Sequence, residues 1–333
     1  LPPSTGRFLF EEEKMTLKDR YSKYFKVGAA VNAYSIEKHA DLITAQFSTI
    51  TCDNALKPDG VTPDGINYDF STAEKQIKFA RENGMECRLH TLAWHIATPD
   101  AMYAGKTREG AIEMMDSHFG KMAGAFKDPS AVDVVNEAIE DSGEMMLRDT
   151  PLKRIIGEDY VDIAYKLARK HFPKTPLVFN DYNECDAIKS KKIHAYIKGM
   201  KERGVPVDAV GFQSHHNVYE PALDDVKRAF DLFSSLGVRI QVTELDVSLY
   251  KWGDENRYES PPKELMKKQE DYYAGLFSIY REYAELLDSV TFWGVCDKES
   301  WLNYWPVNGR RNWPLLFGDG CEEKGCYNRV IDF

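Results

Sequence analysis

The sequence predicts an α/β fold of the (β/α)8 class, a TIM barrel, on three observations. Short apolar, β-rich runs alternate with longer helical patterns, and eight such runs can be counted along the 333 residues. Nearly every run also ends in polar side chains. Strand followed by helix, repeated, implies parallel strands joined by right-handed crossovers. Eight such units close into a barrel whose carboxyl strand ends converge on one mouth. A doubly wound sheet is the alternative, and it would not bring all the polar ends to one place.

The runs come in order. FKVGAAVN begins at Phe25 and ends in Asn32, and FSTITCD begins at Phe47 and ends in Asp53 beside Asn54. ECRLHTLAW, from Glu86, carries His90, and AVDVVNEA, from Ala131, stops at Asn136 and Glu137. PLVFNDY, from Pro176, ends in Asn180 and Asp181, and AVGFQSH, from Ala209, ends in Gln213 and His215. RIQVTELD, from Arg239, carries Glu244 and Asp246, and SVTFWGVCD, from Ser289, ends in Asp297. Between them lie amphipathic stretches such as STAEKQIKFARENG, EDYVDIAYKLARKHFP, SKKIHAYIKGMKERG, LDDVKRAFDLFSSLG and KELMKKQEDYYAGLFSIYREYAELLD. Several stop at glycine, the residue that tolerates the left-handed turn after a helix. The chain ends soon after the long loop behind the last strand, which leaves the eighth helix in doubt. No linker or low-complexity tract interrupts the pattern, so residues 1–333 read as a single catalytic barrel domain.

Composition narrows the function. The chain is 43% hydrophobic and 29% charged, as expected of a folded domain with a sizeable core. Its net charge of −10 argues against nucleic acid or an anionic membrane as partner. No apolar run approaches the roughly 20 residues of a membrane span. The opening LPPSTGRFLF is not a secretory signal. Of the six cysteines, Cys52, Cys87, Cys185 and Cys296 lie far apart and read as free thiols in the interior. Cys321 and Cys326 flank EEKG and are near enough to close a small loop. No CxxC pair occurs, so the spacing suggests no structural zinc site.

The polar ends carry the chemistry. A strand that only fills a core has no use for the Asn-Glu pair that stops AVDVVNEA, whereas the rim of a barrel mouth does. Glu137 and Glu244 each follow an apolar run directly, so both are expected to be partly desolvated and rigidly held. Two carboxyl groups across a cleft suit glycosidic bond cleavage: one protonates the leaving oxygen, the other attacks the anomeric carbon or activates water. His90, His95, His215 and His216 lie nearby, and His215 is placed to bridge Glu244 and Asp246 and keep the former ionised. Trp293, Trp301, Tyr304, Trp305 and Trp313 crowd the last third, where aromatic faces can stack on sugar rings. For any one polar end the plainer role is to cap the next helix, and for Trp293 it is core filling.

Together, VDVVNEAIED, FNDYNE, VGFQSHHN, QVTELDVS and VTFWGVCDKESWLNYWPVNGRRNWPLLF resemble the motifs of glycoside hydrolase family 10. FSTITCDNALKPDGVTPDG and RLHTLAWH resemble that family's second and third strand motifs, and the likeness runs in order from about residue 20 to about 330. Most members are endo-β-1,4-xylanases. The resemblance implies a retaining double displacement on xylan or xylo-oligosaccharides, without metal or cofactor. It assigns Glu137 as acid/base, Glu244 as nucleophile, and Asn136 as partner of the sugar 2-hydroxyl. His215 braces Glu244, with Asp246 behind it. Asp53, Asn54, Lys57 and His90 match positions that hold sugars on the non-reducing side, walled by Trp94, Trp293 and Trp301. Gln213 matches a residue lining the catalytic centre, and Tyr182 and Asn183 the leaving-group side.

The chain also departs from the family pattern. Asp53 stands for the usual Glu, Ala97 for a frequent Gln, Leu89 for Gly and Val132 for Trp. Cys52 and Cys296 replace small non-thiol residues. These changes bear on substrate affinity and length, not on the two glutamates. Three other readings stand beside it: a metal-dependent amidohydrolase on the same barrel, a non-catalytic carbohydrate-binding protein, and a family member acting on mixed-linkage glucan or short oligomers. The first lacks an HxH pair on the first strand and a lysine ending the fourth. A barrel of this size is expected to act as a monomer. Export suits a polymer substrate, and a cytoplasmic setting suits imported oligomers.

Overall fold

The computed structural model describes residues 15–333. LPPSTGRFLF and the remainder of residues 1–14, which open the expected domain, lie outside the described residues. Nine strands are present among these: β1 Lys26–Val31, β2 Thr49–Cys52, β3 Glu86–Arg88, β4 Val132–Asn136, β5 Leu177–Asp181, β6 Ala209–Phe212, β7 His215–Asn217, β8 Arg239–Ser248 and β9 Leu287–Phe292. The sheet runs β3-β2-β1-β9-β8-β6-β5-β4, with every pairing parallel. Parallel bridges Leu89↔Val132 and Ala93↔Val135 join its two ends. They are carried by Leu89 N–H to Ala131 O at 2.9 Å and Asn136 N–H to Ala93 O at 2.9 Å. The sheet is therefore a barrel of eight strands, as the alternation of patterns predicts.

Burial explains why these segments are strands. β2, β4, β5 and β6 are buried at every position, the apolar signature of parallel strands covered on both faces. The covering helices include Ser71–Glu82, Tyr160–His171, Lys189–Glu202, Leu223–Ser234 and Lys263–Glu282. Gly84, Gly204 and Gly237 follow three of them at φ 65°, 70° and 62°, where a β-carbon is disfavoured. The helix Arg108–Ala125 has no counterpart among the expected ones. Its buried stripe is Ala111, Met115, Phe119 and Met122, but Gly and Ala elsewhere blur the contrast between faces. Thr107 starts it by accepting from Gly110 N–H at 3.2 Å.

The eighth helix, left in doubt by the sequence, exists in short form as Gly325–Ile331, which buries Cys326, Tyr327, Val330 and Ile331. The cysteine expectations need correction. Cys296 is bonded to Cys321, with Cα atoms 5.3 Å apart, and Cys326 is a free, buried thiol. The loop after β9 folds back and returns Cys321 to the exit of that strand, whereas Cys326 turns into the core with the terminal helix. Cys52, Cys87 and Cys185 are free, as expected.

Two expected mouth residues have structural work instead. Asn32 caps the helix Ala33–Lys38, accepting from Ser35 N–H at 3.0 Å. Asp297 is fully buried, accepts from Leu315 N–H at 2.7 Å and forms an ion pair with Lys324 Nζ at 2.8 Å, which pins the long last loop. Inside the barrel, buried Arg88 reaches from β3 to Asp133 on β4 and Gln241 on β8. Asp133 in turn holds His90 Nδ1 at 2.9 Å.

Candidate active site

Glu244 lies on β8 and is 5% exposed. Its Oε1 accepts from Asn180 Nδ2 at 2.8 Å, and its Oε2 lies 3.3 Å from His215 Nε2. The far side of the imidazole is held by Asp246 Oδ2, 3.0 Å from Nδ1. Strand β7 makes this contact a matter of register, since it pairs His215 directly with Asp246. The sequence reading ran His215 onto the end of β6; it belongs instead to this short separate strand. Trp301 closes the group from above: its indole N–H donates to Asp246 Oδ2 at 2.8 Å, and its ring lies 4.8 Å from that of His215.

Charge follows from these contacts. Burial alone would raise the Glu244 carboxyl and lower the His215 imidazole. The hydrogen bond from His215, the positive charge near His90 and His215, and the Asn180 amide outweigh burial and hold Glu244 well below the usual carboxylate range. Asp246 and Glu244 likewise overcome burial at His215 and lift it to about 10. Glu244 is thus held as an ionised, desolvated carboxylate.

Glu137 is treated in the opposite way. It sits immediately after β4, also only 9% exposed, and its backbone is in the left-handed region at φ 57°. Asn183 and Ser214, which follow the ends of β5 and β6 closely, share that conformation at φ 57°. Such positions cluster at functional sites, where they aim a side chain that a regular strand would direct elsewhere. Glu137 Oε1 receives Gln213 Nε2 at 3.2 Å and Asn136 Nδ2 at 3.3 Å. Burial first, then the negative charges of Asp181 and Glu244, raise its pKa, and the Gln213 and Trp94 donors only partly oppose them. Two carboxyl groups whose environments push their proton affinities apart are equipped for distinct acid and base duties.

Asn180 joins the two halves. Besides Glu244, its Nδ2 reaches Asn136 Oδ1 at 2.9 Å, and its Oδ1 accepts from Thr243 Oγ1 at 2.7 Å. Gly211 leaves room for it, since a β-carbon there would lie 2.2 Å from Asn180 Oδ1. The polar end of the fifth run marks Asn180 in the sequence, but nothing there gives its role.

The remaining expected residues form two groups. Lys57 Nζ donates to Asn54 Oδ1 at 2.8 Å and lies 5.1 Å above the ring of Trp94 and 5.8 Å from that of Trp293. His90 packs 5.4 Å from Trp293 and 6.3 Å from Trp94. Asp53 is close enough to feel Lys57 and His90, but burial dominates and raises its pKa. The second group surrounds Tyr182, whose hydroxyl donates to Asp141 Oδ2 at 2.5 Å and accepts from Arg148 Nη2 at 2.7 Å. Lys189 Nζ lies 3.4 Å over the Tyr182 ring and 3.0 Å from Asp181. Sequence reasoning missed Arg148, Lys189 and Asp141, which lie in loops or on a basic helix face and carry no strand-end signature. Beyond Tyr182, a cavity of about 360 Å³ opens between Asn183, His215 and Trp252.

Comparison with known proteins bears on this arrangement. The family model of Glycosyl hydrolase family 10 matches residues 16–333. The chain is 36% identical to Endo-1,4-beta-xylanase B of Paenibacillus barcinonensis over 323 residues, covering 95% of this chain and 97% of that protein. It is also 36% identical to Endo-1,4-beta-xylanase A of Caldicellulosiruptor saccharolyticus, over 96% of each chain. Among solved structures, a xylanase of Paenibacillus barcinonensis complexed with a conduramine derivative superposes with a TM-score of 0.94 at 36% identity, covering 96% of this chain and 99% of that one. A barrel with a desolvated acid at Glu137, an ionised carboxylate at Glu244 and this breadth of likeness is an enzyme that hydrolyses glycosidic bonds, and the chain belongs to glycosyl hydrolase family 10.

Proposed function

We propose that the protein is a retaining endo-β-1,4-xylanase that cuts internal β-1,4-xylosidic bonds of xylan by double displacement. The observation that carries this reading is the opposed proton affinity of Glu137 and Glu244, with Asn136 and Asn180 bridging them. In the first step Glu244 attacks the anomeric carbon while Glu137 gives its proton to the departing oxygen. The glycosyl–Glu244 ester carries no negative charge, so one cause of the raised Glu137 pKa disappears. Glu137, now a carboxylate, takes a proton from water as that water attacks the same carbon and releases Glu244.

The other residues serve binding. Asn136 reaches the 2-hydroxyl of the sugar being cleaved. Asp53, Asn54, Lys57 and His90, with Trp94 and Trp293, hold sugars on the non-reducing side. Trp301 steadies Asp246 and His215 while presenting a wall that a hydroxymethyl group would strike, which favours xylose over glucose. Tyr182 and Asn183 receive the leaving group, and Gln213 orients Glu137. Every group comes from one chain, so a monomer carrying one catalytic domain is a complete catalyst. The xylanase names borne by relatives at 36% identity support the substrate class.

Proton NMR of xylotetraose hydrolysis, followed from the first minutes, tests the mechanism, and a product profile from polymeric xylan tests the substrate. The β-anomer should appear first, and long chains should give a spread of oligomers. An α-anomer as first product would overturn retention. Cleavage of mixed-linkage glucan with xylan left intact would overturn the substrate assignment.

A further inference from the structure

We infer that Glu184, Cys185 and His216 form a site for one thiophilic divalent cation of the zinc type, separate from the catalytic pair. The three residues offer one ligand atom each, and these atoms lie within 4.8 Å of one another. Glu184 and Cys185 sit in the loop after β5 and His216 in β7, so the donors come from two segments that the fold brings together. Carboxylate, thiolate and imidazole form a donor set that zinc favours over calcium or magnesium, which prefer oxygen alone. Without a CxxC pair, the spacing of residues in the chain gives no sign of it.

The hydrogen-bond pattern around His216 is the independent observation. Tyr272 has one hydroxyl hydrogen, and it is donated to Pro221 O at 2.7 Å. The phenol oxygen therefore accepts at its contact with His216 Nδ1, 3.2 Å away, and Nδ1 carries the hydrogen. In the neutral ring Nε2 is then an unprotonated lone pair. It is buried and has no hydrogen-bond partner among the described residues. Glu184 Oε1 lies 3.5 Å from it. Nε2 and the carboxylate oxygen thus face each other inside the protein with a gap that a shared proton or a metal cation would fill, and the Cys185 thiol beside them makes the gap a three-donor cluster.

The distance distinguishes between cations. Zinc–nitrogen and zinc–oxygen bonds of about 2.0–2.2 Å at a tetrahedral angle set their donor atoms roughly 3.3–3.5 Å apart. The Glu184–His216 separation already matches that edge. Ser214 Oγ donates to Glu184 Oε1 at 2.7 Å and orients the carboxylate, and Tyr272 orients the imidazole, as supporting groups do around metal ligands. Cys185 is half-buried and supplies the third corner, and its thiol proton leaves to solvent when the metal binds. The fourth corner faces the cavity beside His215 and Trp252, where water completes the shell. Asn183 precedes Glu184 and His215 precedes His216. The cation would therefore tie together the two segments that bound the cleft beyond Tyr182, without taking part in bond cleavage.

Cobalt titration of the chelator-treated full chain tests the site, with absorbance as the readout. The expected result is a thiolate-to-cobalt charge-transfer band with tetrahedral d–d bands, saturating at one equivalent and bleached by zinc. Cys185→Ser should remove the charge-transfer band and weaken zinc binding on the order of 10–100-fold. As a measurement free of substitutions, zinc should protect Cys185 of the unaltered protein from alkylation, read by peptide mass spectrometry. No saturable spectral change in millimolar cobalt would overturn the site, since a proton shared by Glu184 and His216 would then explain the geometry. Bands that survive unchanged in Cys185→Ser, or alkylation of Cys185 unaffected by zinc, would overturn it equally.

Discussion

Asn180 and Glu244 are joined by a 2.8 Å hydrogen bond whose donor, Asn180 Nδ2, also reaches Asn136 Oδ1 at 2.9 Å. One amide therefore fixes the Glu244 carboxylate relative to the residue that precedes Glu137. Asn180→Ala should remove a charge-assisted bond of about 1.5–3 kcal/mol, lowering kcat on xylan by roughly 10- to 150-fold. The donor also holds the Glu244 pKa down, and the proposed mechanism needs Glu244 ionised. The acidic limb of the pH–rate profile should therefore move to higher pH in the variant. Steady-state kinetics across pH check both, and an unmoved acidic limb would remove Asn180 from this role.

The two glutamates should respond differently to substrate chemistry. On the double displacement proposed above, Glu244→Ala should cost several orders of magnitude on every substrate, because the covalent step is lost. Glu137→Ala should impair xylan far more than aryl xylobiosides with good leaving groups, which need little protonation. Side-by-side kcat/KM values on the two substrate types read the difference. Equal losses on both would argue against proton donation by Glu137.

Stability should have a pH window set by His215 and Glu244. The His215 pKa is raised from 6.5 to about 10, so its contribution is complete below 6.5 and is lost as pH climbs through 10. Glu244 is lowered from 4.5, so its contribution is complete above 4.5 and is lost as pH falls through its folded value. Their overlap runs from pH 4.5 to 6.5. Calorimetric Tm should plateau there, and His215→Gln should flatten the decline on the alkaline side. Parallel curves for the two proteins would disprove the linkage.

The Cys296–Cys321 bond closes a separation of 25 residues that contains Trp301. Loop-closure entropy for that length is about 3.5 kcal/mol. Spread over an unfolding entropy of about 0.7 kcal/mol/K for a chain of this size, it corresponds to a Tm loss of about 5 °C. Cys296→Ser, or reduction, should lower Tm by that amount in a thermal melt, whereas Cys326→Ser, which keeps the bond, should leave the melt as sensitive to reductant as that of the unaltered protein. A melt indifferent to reductant would mean that the bond does not constrain the unfolded chain.

The eight main strands were legible because each is a largely buried parallel strand that lies in a short β-rich run, and most of the runs have a polar end. Glu137 and Glu244 were legible for the same reason: a charge directly after such a run has few purely structural uses. What escaped depends on packing at a distance. Arg108–Ala125 hid because its buried stripe includes His118 and its flanks carry Gly110, Gly120 and Ala123, which blunts the contrast between faces. The Cys296–Cys321 pairing hid because proximity along the chain favours Cys321 with Cys326, while the folded loop decides otherwise. Asn32 and Asp297 share the strand-end pattern with the site residues, yet one caps a helix and the other pins a loop. Arg148 and Lys189 meet Tyr182 only through loop geometry that no local pattern encodes.

The left-handed backbone at Glu137, Asn183 and Ser214 has a bearing on engineering. The backbone at each position would relax in glycine, by on the order of 1 kcal/mol, although at 214 glycine would also remove the bond from Ser214 Oγ to Glu184. Directed evolution scored on heat tolerance alone would drift toward glycine at 137 and 183, and at 137 the sturdier descendant would lose most of its turnover of xylan. Libraries meant to toughen this enzyme should keep codon 137 constant and admit glycine at 183 and 214 only when turnover is assayed alongside melting.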